Sequence, residues 1–170
     1  MKPLKRPARR SLLVAHVAVS VSWLGLTVGL LALGLSAFLT HDATMAQAAT
    51  RAMKVFSDWL IVPVALLSLL SGLLLALGTP WGLARHRWVW TKFWLTLTTA
   101  GLSIFALRPG IDEAAARGAA DIDLLIAPSV ATATYLFITA ISVLKPWGPT
   151  RRGLRLRQAR ERARRPAAQR

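Results

Sequence analysis

The apolar residues of this chain fall into four long blocks separated by polar connections. The first, Ser11 to Leu39, runs for 29 residues with no formal charge and one titratable group other than its hydroxyls, His16. A bilayer core of about 30 Å needs roughly 20 helical residues, so this block predicts a membrane-spanning helix that tilts or projects beyond the lipid. A secretory signal peptide is the rival reading, because Met1 to Arg10 is a basic leader and Ala46-Gln47-Ala48 has the form of a cleavage site. Signal peptides carry an apolar region of only about 7 to 15 residues, and Ala48 lies well past the end of the run, so the block is read as a span.

The second block, Trp59 to Leu77, ends at Gly78 with Thr79-Pro80-Trp81-Gly82 behind it, a Gly-then-Pro helix stop. The third, Trp88 to Leu107, holds Lys92 about one turn inside, where a lysine extends its ammonium toward the nearer headgroups and so marks a boundary. The fourth, Leu124 to Leu144, carries Pro128 in its first turns, where a missing hydrogen bond matters least. The connections are too polar for core strands, and lipid does not tolerate open sheet edges. The predicted fold class is therefore all-α: an integral membrane four-helix bundle made of two helical hairpins. Ala48, Ala49, Ala52, Met53 and Phe56 recur at helical spacing and predict a short helix leading into the second span. Pro109-Gly110 reads as a turn, and Asp112 as the cap of a short helix over Glu113 to Arg117. Residues 1–10 form a basic segment, 11–148 the membrane domain, and 149–170 a basic tail expected to be disordered.

Charge gives the molecule a direction. The 54% hydrophobic content exceeds the roughly 45 to 50% of soluble chains, yet the net charge is +15. Four spans place both termini and the 78–87 connector on one side, and with Lys92 that side holds eighteen Lys and Arg against four on the other. Basic flanks stay in the cytoplasm, so both termini are expected inside, in a bacterial inner membrane. Six of the seven acidic residues, Asp42, Asp58, Asp112, Glu113, Asp121 and Asp123, fall on the opposite side. Arg85, Arg87, Lys92, Arg151 and Arg152 are the expected contacts for anionic inner-leaflet headgroups. The tail has no aromatic residue after Trp147, so membrane lipids, and not nucleic acid, are its expected partner.

The first block carries two stripes unsuited to lipid. Ala18, Ser22, Gly25, Gly29, Ala32 and Ser36 are small residues at helical spacing, a helix-packing or dimer face. About half a turn away, His16, Ser20, Trp23 and Thr27 form a polar stripe, answered in the fourth block by Thr132, Tyr135, Thr139 and Ser142 and in the second by Ala65, Ser68, Gly72 and Ala76. Two readings stand: both stripes pack inside the bundle, or one serves a homo-oligomer, a membrane-protein partner or a cavity. Both basic-side exits read Pro-Trp-Gly before arginines, at Pro80 to Gly82 and Pro146 to Gly148, as two similar hairpins would. Trp81, Trp88, Trp90 and Trp147 then form an interfacial belt.

Candidate chemistry is sparse. The absence of cysteine removes disulfides, thiolate metal sites and cysteine nucleophiles. No Ser/His/Asp set, phosphate loop or acid pair appears, so a non-enzymatic protein acting by helix-mediated association is expected, with no cofactor. The alternative is a haem b or copper protein using His16, with His86 as a second imidazole, or with His41, Asp42 and Met45 as a separate copper set at the opposite end. A third reading is a small transporter or channel lined by His16, Thr27, Thr132 and Tyr135.

His16 to Gly25, Trp59 to Pro63, Leu77 to Leu83, Arg85-His86, Trp88 to Lys92 and Lys145-Pro146 together resemble a family of small actinobacterial integral membrane proteins of unknown function, over about residues 10 to 150. The early histidine followed by Trp23-Leu-Gly25 more loosely resembles the copper-resistance D-type membrane domains, which implies a helical bundle and copper handling. That resemblance also implies a histidine near the outer end of the third helix, where this chain has Ser103 to Leu107.

Overall fold

A computed structural model describes residues 5–79, 82–83 and 85–164. Pro80 and Trp81 of the repeated exit, and Arg165 and Arg170 of the tail, lie outside these. Among the described residues there is helix and no strand, only an isolated antiparallel bridge between His86 and Pro149.

Helix α1 (Arg6–Leu39) starts five residues before the uncharged block, with Pro7 in its first turn, where the ring presets φ and no N–H is required. Helix α2 (Ala43–Phe56) is the short helix expected ahead of the second span. Asp42 caps it, accepting the Thr44 N–H at 2.8 Å. Its buried face is Ala46, Ala49, Thr50 and Met53, so Ala48 of the expected stripe points outward. It continues through a π-helical turn, Ser57–Ile61, into α3 (Val62–Gly78). Likewise α4 (Arg87–Leu102) continues through a π-helical turn, Ser103–Leu107, into α5 (Arg108–Arg117).

Both π-helical turns end two residues before a proline, Pro63 and Pro109. A proline in a continuous helix removes one hydrogen bond and presses its ring on the carbonyl four residues back; a wider turn just ahead gives that carbonyl room. Two expectations are thereby corrected. Pro109-Gly110 opens α5 and is not a turn, and Asp112 lies within α5, bonded to Lys54, and is not a cap. Helix α5 instead ends at Gly118, whose left-handed φ of 70° lets its N–H reach the Ala114 carbonyl at 2.8 Å.

Helix α6 (Asp123–Leu144) holds Pro128 in its second turn. The Leu124 carbonyl, which would otherwise accept the N–H at position 128, lies against Gly34 of α1; a Cβ there would be 3.1 Å from that oxygen. The tail, expected to be disordered, forms α7 (Arg151–Arg164). Thr150 caps it by accepting the Gly153 N–H at 3.1 Å, Arg157 pairs with Glu161 one turn on, and a run of Arg, Leu, Gln and Ala favours the helix.

Helix α1 packs on α2, α3 and α6, while α4 packs on α3 and α6 and α2 on α5. At the end carrying the acidic residues the core is closed by Leu30, Met53, Ile61, Leu107, Ile111 and Leu124. Nearer the middle, Trp23, Ala65, Ala100, Ala131, Tyr135 and Ile138 form a second cluster. Three helical stretches, Arg6–Leu39, Ala43–Gly78 and Asp123–Leu144, are long and apolar enough to cross a membrane. Helix α4 is more polar, with Lys92 and four threonines. Outward-facing Val14, Val21, Leu67, Leu70, Phe105 and Phe137 are all exposed, an apolar surface that suits hydrocarbon and not water.

Candidate functional site

The two stripes of α1 part company. Ala18, Ser22, Gly25 and Ala32 are exposed, with Gly29 and Ser36 half-buried. The Ser22 and Ser36 hydroxyls turn back to the carbonyls of Ala18 and Ala32, each at 2.9 Å. A Cβ at Gly25 would meet nothing within 4 Å, and one at Gly29 only the Phe56 ring. The small-residue face is therefore not the packing face of this bundle.

The polar stripe faces inward. His16 Nδ1 lies 2.9 Å from the Ser71 hydroxyl of α3. That hydroxyl gives its own proton to the Leu67 carbonyl at 2.6 Å, so the imidazole is the donor and its Nε2 keeps the lone pair. Beside it, Gly72 leaves just enough room: a Cβ would stand 3.0 Å from His16 Cε1. One turn deeper, the hydroxyls of Ser20 and Ser68 share a hydrogen bond of 3.0 Å. Deeper still, Trp23 packs on Tyr135 of α6, ring centroids 4.5 Å apart. Both rings are buried, and Trp23 Nε1 makes no hydrogen bond. The Ser103 hydroxyl donates to the Thr99 carbonyl at 2.9 Å, and its lone pairs are left to accept the Tyr135 O–H.

His16, Ser20, Trp23, Ser68, Gly72 and Tyr135 line a cavity of about 490 Å³ between α1, α3, α4 and α6 at the basic end of the molecule. Arg9, His16 and Trp23 lie seven residues apart on α1, which sets three polar layers about 10 Å apart: mouth, middle and floor. In the middle layer Lys92 of α4 reaches Ser142 of α6, its Nζ donating to Oγ at 2.9 Å. Lys92 was expected to mark the membrane boundary; it is half-buried and lines the cavity. Thr139 also lines the wall, its hydroxyl returned to the Tyr135 carbonyl at 2.8 Å.

Thr27 and Thr132 do not line this cavity. Thr27 is buried and donates to the Leu24 carbonyl at 2.8 Å, and the buried Thr132 hydroxyl is without a partner. Beyond the Trp23 and Tyr135 floor the core is closed, with Leu30, Met53 and Ile111 wholly buried. The expected channel lining is thus split: His16 and Tyr135 lie in a blind cavity, and the two threonines lie outside it.

The remaining candidates are scattered. His41 and Met45 are exposed near the start of α2, where Asp42 is engaged as its cap. His86 sits in the connector, bridged to Pro149 and with its ring 6.4 Å from that of Trp88, and does not line the cavity with His16. Among the described residues no three His, Asp or Glu gather as a metal-binding group. Arg85, Arg87, Arg151 and Arg152 lie where the connector meets α7. There the Arg85 carbonyl accepts the Thr150 N–H at 2.8 Å and the Arg87 N–H reaches the Gly148 carbonyl at 3.4 Å.

Sequence reasoning missed Arg9 and Thr96 as cavity residues and Ser71 as the partner of His16. Their seven-residue or helical offsets from His16, Ser68 and Lys92 were available in the sequence, but the pairing of faces between helices was not. Comparison with protein families, with characterised proteins and with solved structures returns no match.

Proposed function

We propose that this chain is a four-span, non-enzymatic protein of a bacterial cytoplasmic membrane, with both ends in the cytoplasm, that holds a small membrane-borne molecule in its cavity. One observation carries this reading: a blind cavity of about 490 Å³ that opens at the basic end and is floored by the Trp23 and Tyr135 rings, with Trp23 Nε1 a buried donor without a partner. The volume falls in the usual range for small-molecule sites, which are largely apolar with a few placed polar groups. A through-channel would need water-accessible groups beyond Trp23, and the core there is packed. Orientation rests on the eighteen basic residues at the cavity end against four at the other, and α4 serves as the fourth span despite Lys92, because that lysine lies near one end.

The chain has no cysteine, so Thr96→Cys gives a single thiol in the cavity wall. A membrane-impermeant maleimide is expected to modify it from the cytoplasmic face only. In detergent, hexadecanol or hexadecyl phosphate is expected to slow modification at least about fivefold. Labelling from the outer face would reject the orientation, and no protection by either amphiphile would reject the binding function.

A further inference from the structure

Among the described residues no carboxylate lines the cavity beside the Lys92 ammonium. Lys92 Nζ is 2.9 Å from Ser142 Oγ, a neutral acceptor whose own proton goes to the Ile138 carbonyl at 2.8 Å. Six of the chain's seven carboxylates lie at the opposite end, and the seventh, Glu161, pairs with Arg157 at 3.0 Å on α7. The other charged groups lining the cavity, Arg9 and Lys145, are also cations. An ammonium held in a low-dielectric site without an anion is costly, and the cost is recovered when an anion enters. The wall beside it is in part apolar and open: Leu13 and Val17 of α1 and Val143 of α6 line the cavity and yet are 49%, 51% and 73% exposed.

Charge and opening together define an occupant. The geometry points to an anionic amphiphile as the ligand, its phosphate or carboxylate head paired with the Lys92 ammonium and the Ser142 layer, its apolar chain leaving between α1 and α6 past Leu13, Val17 and Val143 into the lipid. This inference rests on the binding function proposed above. A lysine serves either oxyanion as a point charge, so the shared requirement is one negative head on one apolar chain. The ligand comes from the surrounding leaflet and not from the aqueous anion pool.

The Thr96→Cys protection assay separates the two claims. Hexadecyl phosphate and hexadecanoate at pH 9 are expected to protect at concentrations at least about tenfold lower than hexadecanol, a difference of about 1.4 kcal/mol. Lys92→Met on the same background should bring the three to parity, and Lys92→Arg should retain the preference. Inorganic phosphate should not protect. The relative potency of hexadecyl phosphate and hexadecanoate identifies the preferred head. Equal protection by hexadecanol and the two anions in the Lys92 chain would overturn the inference while leaving the binding function intact. Protection by inorganic phosphate at the same concentrations would overturn the need for a chain. An unchanged preference in Lys92→Met, with the variant's melting temperature intact, would remove Lys92 as the partner.

Discussion

The two ends of the molecule dispose of charge and volume in opposite ways. At the acidic end α2 and α5 lie against each other and basic groups meet acids: Lys54 bridges Asp58 at 3.0 Å and Asp112, and Arg108 reaches Asp58 at 3.3 Å. Beneath them Leu30, Met53 and Ile111 are sealed from solvent. At the basic end no acidic residue lines the space between the helices, which part around a cavity. The first arrangement is the one expected of a structural seal, because its ion pairs close within the chain over a packed core. The second is incomplete by itself, and incompleteness in a concave site is the mark of a binding surface. Stability therefore resides mainly at one end, and the binding proposed above at the other.

The strongest test of that division removes volume from each end. Leu30→Ala deletes three carbons from a fully buried site, and the loss expected is about 2 to 5 kcal/mol in reversible unfolding in mixed micelles. Leu13→Ala, on the half-exposed cavity wall, is expected to change stability by no more than about 0.5 kcal/mol. Similar losses for the two would mean that the cavity end is packed as tightly as the core.

A finer comparison uses two glycines of the same helix. Gly34→Val forces side-chain atoms toward the Leu124 carbonyl and the Leu125 side chain, 3.1 and 3.4 Å from even a bare Cβ, and neither the α6 backbone nor α1 can yield freely. A loss of about 1 to 3 kcal/mol is expected. Gly25→Val meets open space and should leave stability within about 0.5 kcal/mol. If the exposed stripe of Ala18, Ser22 and Gly25 seats a second copy, Gly25→Val should abolish the dimer seen by photobleaching in supported bilayers while Gly34→Val retains it in whatever fraction folds.

What the sequence disclosed follows the same division. Spans are legible because lipid imposes one requirement, about 20 uncharged residues, and the runs ending at Leu39, Gly78 and Leu144 meet it without reference to any partner. The inward orientation of His16, Ser20 and Trp23 was legible as a stripe, but so was the small-residue stripe, and one helix alone cannot say which of two faces meets its neighbours. Pro109-Gly110 misled for a related reason. The pair is a strong turn signal in isolation, yet the wider turn at Ser103–Leu107 lets the helix absorb the proline, and helix packing at the acidic end holds it there. The cavity was beyond reach because Lys92 and Ser142 are fifty residues apart, and only the pairing of α4 with α6 makes them one site.

The smallest expected effect on stability concerns how the basic end is tied together. Gly153 sits in the first turn of α7, and a Cβ there would collide with the backbone carbonyl of Arg85, with the Arg85 carbonyl carbon and the Pro149 ring both within 3.2 Å. Backbone cannot rotate aside as a side chain can, so Gly153→Ala should lift α7 off the connector and break the bonds from Thr150 to the Arg85 carbonyl, 2.8 Å from the amide and 3.2 Å from the hydroxyl. These groups cap the bundle and form no part of either core, so global unfolding should move by no more than about 0.5 kcal/mol. Local protection should change far more: hydrogen exchange across 150–164 should accelerate, and trypsin should cut the arginine-rich α7 sooner. Equal trypsin resistance in Gly153→Ala and the unaltered chain would show that α7 is held by something other than its approach to Arg85, with the membrane surface as the first alternative to test by adding anionic vesicles.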